Sequence, residues 1–263
     1  MMQSDVRVPI ITIDGPVASG KGTIARHVAD ALGFHLLDSG AIYRAHALAC
    51  LSRKLDFNEI NSLEEQAKAL SLKFIGETVW LDGGDATTEV RSEAIGLAAS
   101  TLSAIPEVRA ALLQRQRDFA VAPGLVADGR DMGTIVFPNA PLKIYLTATA
   151  QVRAERRAGQ IAKQRLAAGE EMSAKQLIEK GKSPTIADLL ETIRAQVPDE
   201  VEDKLRRDVE AMIRRRDAQD KTRAIAPLKP AFDAIVIDNA EHSPSETVNV
   251  VLSLWKLRKT GIE

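Results

Sequence analysis

The chain has 263 residues, 45% of them hydrophobic and 27% charged, and its 35 Lys and Arg against 36 Asp and Glu leave a formal charge of −1. That balance excludes a polyanion-binding surface spread over the whole molecule, and the composition excludes disorder as the main state. At about 150 residues per domain, the length fits one large domain or one domain with insertions.

The first apolar run, Val8 to Ile13, contains Pro9 and ends on Asp14. It is too short for a signal-peptide core, and no window approaches the roughly 18 apolar residues of a membrane span. A cytoplasmic protein is expected, with neither membrane nor nucleic acid as partner. Five short runs read as strands buried on both faces: Ile10 to Asp14, His35 to Asp38, Leu125 to Asp128, Leu142 to Thr147 and Ala234 to Asp238. Helical spacing lies between and after them, as in Ala25, Val28, Ala29 and Leu32, and again in Val248, Val251, Leu252 and Trp255. Alternating strand and helix predicts an α/β fold with a five-stranded parallel sheet in three layers, its ligands at the carboxyl ends of the strands. The one cysteine, Cys50, sits in the apolar stretch Ala45 to Leu51 and reads as a buried, inert thiol.

Two segments break the rhythm. Leu72–Ile75, Val79–Leu81 and Asp85–Thr87 read as short strands, with Asp82-Gly83-Gly84 as a turn, which predicts a small β-rich insertion. Gly169 to Lys204 is charged and helical, with capping-box spacing at Ser173 to Gln176 and a second helical pattern from Thr185 to Ile193.

The first strand runs into Gly15-Pro16-Val17-Ala18-Ser19-Gly20-Lys21-Gly22-Thr23, which opens a helix. This is the spacing of a phosphate-binding loop. Glycines let the backbone wrap with its N–H groups inward, the helix N-terminus adds positive potential, and Lys21 reaches the transferred phosphate. A strict pattern has Ser or Thr directly after the lysine; here Gly22 intervenes and Thr23 follows.

Other strand ends carry further polar groups. Asp38-Ser39-Gly40 leads to Tyr43 and Arg44, and Arg44 could offer bidentate contacts to a phosphate. Asp128-Gly129-Arg130-Asp131 suits a binding loop, and Arg216, Asp220 and Arg223 fall on one helical face near Asp217. The last set also reads as a solvated ion-pair ladder.

Taken together these stretches resemble the bacterial cytidylate kinases, P-loop nucleoside monophosphate kinases. The resemblance rests on Ile13 to Thr23, Leu37 to Arg44, Ala127 to Phe137, and Arg216 to Leu228, and covers most of the chain outside Gly169 to Lys204. It implies ATP as phosphoryl donor with Mg²⁺, CMP or dCMP as acceptor, and a core at 6–60, 101–150 and 221–258. It further implies an acceptor-binding insertion near 61–100 and a lid with its extra helices near 151–220. Ser100, Arg109 and Asp131 would then read the cytosine edge, Arg44, Arg130 and Arg223 the monophosphate, and Ser39, Arg216 and Asp220 the sugar and its phosphate. Asp128 would join these substrate-binding residues, with Thr23 touching the metal directly or through water.

An ionised phosphate oxygen of CMP is its own nucleophile, so no general base is needed. This suits the four histidines, His27, His35, His46 and His242, which all read as structural. Arg153, Arg156 and Arg157 begin the segment where a closing lid would lie, although a plain basic helix surface fits them equally. Gly169 to Lys204 is expected to enlarge or brace that lid without contributing catalytic groups. A monomer is expected. The other readings are a different small P-loop kinase and a nucleotide-dependent switch that turns over no second substrate.

Overall fold

The computed structural model describes residues 8–76, 78–160 and 199–260. The patterns at Ser173 to Gln176 and Thr185 to Ile193 lie outside the described residues.

The core is a parallel five-stranded sheet in the order β2-β6-β1-β7-β8, formed by Ile10–Asp14 (β1), His35–Asp38 (β2), Leu125–Gly129 (β6), Leu142–Thr147 (β7) and Ile235–Asp238 (β8). Side chains alternate across it as a pleated strand requires. Leu37, Leu125 and Ala127 join one apolar cluster, while Ile11, Ile13, Val126, Ile144 and Leu146 join another on the opposite face. Helices Lys21–Leu32 (α1) and Pro244–Thr260 (α9) cover the second face through Ile24, Val28, Val248, Val251 and Trp255. Gly33 ends α1 at φ 64°, returning its N–H to the carbonyls of Ala29 and Asp30.

The other face is covered by Ser39–Ser52 (α2), Ile60–Lys68 (α3), Glu93–Leu102 (α5) and Pro106–Arg117 (α6). Asp38 caps α2, its Oδ1 accepting from the Ala41 N–H at 3.0 Å. The insertion carries an antiparallel sheet of Leu72–Ile75 (β3), Thr78–Leu81 (β4) and Gly84–Asp85 (β5), packed on α2 with the short helix Thr87–Arg91 (α4). A helix over 150–160 (α7) and Asp199–Thr222 (α8) complete the described elements.

Three expectations change. Burial on both faces holds for β1 and β6, and nearly so for β7, but His35–Asp38 and Ile235–Asp238 are edge strands with exposed positions. The third short strand is Gly84–Asp85, not Asp85–Thr87. Asp85 Oδ1 accepts from both the N–H and the hydroxyl of Thr87, which turns the chain into α4. Finally, α8 stops at Thr222, so Arg223 lies just past the helix that was expected to carry it.

The chain divides into two compact units, one of 1–16, 20–147 and 219–263, the other of 17–19 and 148–218. In the second, Ala154, Val209 and Ile213 form an apolar cluster against which Val17, Ala18 and Met212 pack. Among the described residues, no helix is long and apolar enough to cross a membrane.

Candidate active site

The phosphate-binding loop leaves β1 at Gly15. Gly20 adopts φ 88°, open to glycine at no steric cost, and α1 starts at the next residue. A side chain at Gly22 would place its Cβ 3.1 Å from Asp128 Oδ2. Glycine stands there because the end of β6 comes so close, and the hydroxyl moves one place on, to the exposed Thr23. Lys21 Nζ donates to the Pro16 carbonyl at 3.2 Å.

The tip of the loop, Val17 to Ser19, belongs to the second unit. There Arg153, 4% exposed, donates to the carbonyls of Val17 and Ala148, both at 3.0 Å, and to both carboxylate oxygens of Asp217. Arg153 is thus a buried brace of the loop tip. Arg156 and Arg157 are half-buried on α7, with Arg157 Nη1 donating to Gln160 at 3.2 Å. Arg216 lies on α8 in this same unit.

In the first unit a chain of buried ion pairs runs between distant parts of the sequence. Arg109, on α6, pairs with Asp131, donates to the Ser103 carbonyl at 3.2 Å and lies over the Tyr43 ring at 5.6 Å. Arg223 Nη2 donates to Ser103 Oγ at 2.9 Å and pairs with Asp220. Arg130 Nε meets the other Asp220 oxygen at 3.0 Å. Asp220 is 1% exposed, which sets aside the solvated ladder. Burial lowers the proton affinity of Arg223, with Asp220 opposing and Arg109 and Arg130 adding to the fall. Three arginines against two aspartates leave a cationic surplus that an anionic ligand would balance.

The remaining predicted residues surround this group differently. Ser39 Oγ donates to the Asp128 carbonyl at 2.8 Å, and Gly129 is needed beside it, since a Cβ there would lie 2.7 Å from that hydroxyl. Arg44 Nη1 is turned to the carbonyls of Val90 and Ser92, at 3.0 and 2.8 Å. The Ser100 carbonyl accepts from Ser103 Oγ at 3.0 Å. Burial raises the Asp128 carboxyl, partly offset by Lys21, and its Oδ1 is buried without a partner. Sequence reasoning missed Ser103, which bridges Arg109 and Arg223, and the platform role of Tyr43. Ser103 carries no motif signal, and Tyr43, although inside the Leu37 to Arg44 motif, stood there without a role. His46 is buried and bound to the Leu63 carbonyl, and His35 pairs with the Ala122 carbonyl, as structural histidines do.

A family model described as cytidylate kinase matches residues 11–194 and 192–257. The chain belongs to the cytidylate kinase family. The cytidylate kinase of Bordetella bronchiseptica is 48% identical over 248 residues, covering 94% of this chain and 95% of its own. That of Chromobacterium violaceum is 45% identical over 254 residues, with 97% and 98% covered. That of Nitrosomonas europaea is 43% identical over 248 residues, with 94% and 95% covered. The family model runs through Gly169 to Lys204 and these cytidylate kinases match the chain nearly end to end, so that stretch, expected to lie outside the resemblance, does not set the chain apart from them in length.

Proposed function

We propose that the protein transfers the γ-phosphoryl group of ATP to CMP or dCMP, giving ADP and CDP or dCDP. Family membership supports the reaction class, and the observation that carries the choice of base is the buried Arg109–Asp131 pair. Cytosine presents an amino donor beside ring-nitrogen and carbonyl acceptors, which a carboxylate and a guanidinium complement. Uracil replaces the amino donor by an acceptor and leaves Asp131 facing like polarity. Ser100 lies beside this pair in our assignment, Arg44, Arg130 and Arg223 take the monophosphate, and Ser39, Arg216 and Asp220 the sugar side.

Gly15 to Thr23 hold the ATP phosphates, with Lys21 on the group in flight. A phosphate oxygen of CMP attacks the γ-phosphorus, the bond to the β–γ bridging oxygen breaks, and the electron pair leaves with ADP. Lys21, Arg130 and Arg223 stabilise the charge during transfer. The partnerless Asp128 Oδ1, on the end of β6 that approaches Gly22, and the hydroxyl of Thr23 in the first turn of α1 are oxygen donors of the kind that would hold a Mg²⁺ ion together with waters and substrate phosphates. When bound with ATP, the ion neutralises charge on the β- and γ-phosphates. Residues 61–100 form the acceptor-binding insertion and 151–220 the lid, with Arg156 and Arg157 as its arginines, while Arg153, expected among them, is held as a buried brace of the loop tip. The protein works as a cytoplasmic monomer on small molecules, without nucleic acid or membrane.

ADP formation from ATP with a panel of nucleoside monophosphates tests this reading. CMP and dCMP should turn over well above UMP at limiting concentration. Equal rates with UMP would remove Asp131 from the amino group, and no CMP- or dCMP-dependent ADP would defeat the proposal.

A further inference from the structure

Asp14 ends the central strand β1, directly before the phosphate-binding loop, and is 4% exposed. Its carboxylate does not point at that loop's amides. Oδ1 accepts from the Met132 N–H and Oδ2 from the Gly133 N–H, each at 2.8 Å. These two amides open a tight turn over Met132–Val136, in which Ile135 and Val136 return their N–H groups to the Asp131 carbonyl. Asp131 and Arg130 stand immediately upstream, and their side chains carry the pairs with Arg109 and Asp220. The backbone presses against the clamp from the other side too. A Cβ at Gly133 would lie 2.9 Å from Thr12 Oγ1, 3.2 Å from Lys143 Cδ and 3.4 Å from Asp14 Oδ2.

From this geometry we infer that Asp14 is a positioning residue for the acceptor nucleotide: through two backbone hydrogen bonds it fixes the segment that presents Arg130 and Asp131. The inference rests on the proposal that Arg109 and Asp131 hold the cytosine. A carboxylate supplies two acceptors in one plane, a match for two successive N–H donors. An amide of the same size turns an N–H₂ toward one of them, leaving a buried donor facing a donor.

The test is steady-state kinetics of Asp14→Asn and of Gly133→Ala, which disturbs the same clamp from the opposite side, with Arg109→Ala alongside. Loss of one buried charge-assisted hydrogen bond should raise the KM for CMP by about ten-fold or more. The KM for ATP should stay within about three-fold, a change too small to represent a lost hydrogen bond of that kind, while kcat falls as well because Arg130 leaves its place on the same segment. A general loss of structure would raise the KM for ATP too. If Asp14→Asn does not fold, Gly133→Ala decides. An unchanged CMP KM in these variants, or an equal rise for ATP, while Arg109→Ala raises the CMP KM, overturns the inference and leaves the site reading intact. No rise in Arg109→Ala removes the reading beneath it as well.

Discussion

Lys21 and Arg109 are both cations, yet their surroundings assign them different work. Lys21 sits where the backbone of a phosphate loop gathers charge, its amine turned toward Pro16 within its own loop. Arg109 is held on three sides, by Asp131, the Ser103 carbonyl and the Tyr43 ring. Lys21→Ala should therefore lower kcat by about 10²-fold or more, because on the proposed mechanism it removes a cation that stabilises developing charge. Arg109→Ala should chiefly raise the KM for CMP and relax discrimination against UMP. Initial-rate kinetics with each substrate varied in turn separate the two, and matching losses in both variants would contradict the division. The glycines around Arg130 and Asp131 marked a loop at a strand end, and the resemblance grouped Arg109 with Asp131, but the ion pairs that Arg130 and Asp131 make were not legible. Asp220 and Arg109 lie far along the chain, and only the folded topology brings them to the end of β6.

Elements that bury an apolar face announced themselves, and those at a boundary did not. β1, β6 and β7 lie between neighbours on both sides and read as continuous apolar runs, whereas β2 and β8 at the sheet edges keep exposed positions such as His35 and Val236. The hairpin in the insertion was visible through its turn residues. The start of α4 was hidden because one side-chain pair, Asp85 and Thr87, ends the strand there, with Thr87 Oγ1 also accepting the Val79 N–H at 2.9 Å. At this scale stability follows the sheet interior. Ile144 of β7 is 1% exposed in the cluster shared with α1 and α9, so Ile144→Ala should cost about 2–5 kcal/mol. Chemical denaturation measures this, and a loss below about 1 kcal/mol would show that the cluster collapses around the gap.

For the whole molecule, a near-neutral total conceals uneven placement: Arg109, Arg130 and Arg223 gather around Asp131 and Asp220 while the carboxylates of Asp14 and Asp128 are buried at the strand ends. Burial pushes the Asp14 carboxyl up to about 7, against the pull of the Gly133 and Met132 amides, and raises Asp128 as well. The folded state thus holds these protons more tightly than the unfolded chain. Their contribution to stability is complete below the ordinary carboxylate range and is lost as pH rises toward about 7. Asp128→Asn keeps a neutral group at every pH. Thermal melts of the nucleotide-free protein from about pH 5 to about 8 should show the parent losing ground to this variant as pH rises, and parallel curves would refute the assignment.

The approach of Asp128 to Gly22 has a consequence for how such a sequence can change by descent. A serine at position 22, as the strict phosphate-loop pattern would have it, must push the carboxylate aside by a few tenths of an ångström, and so shift the charge that Lys21 faces. The two positions are therefore constrained as a pair. A side chain enters at 22 most readily where residue 128 is shorter or turned away, and with the aspartate in place it requires that carboxylate to shift.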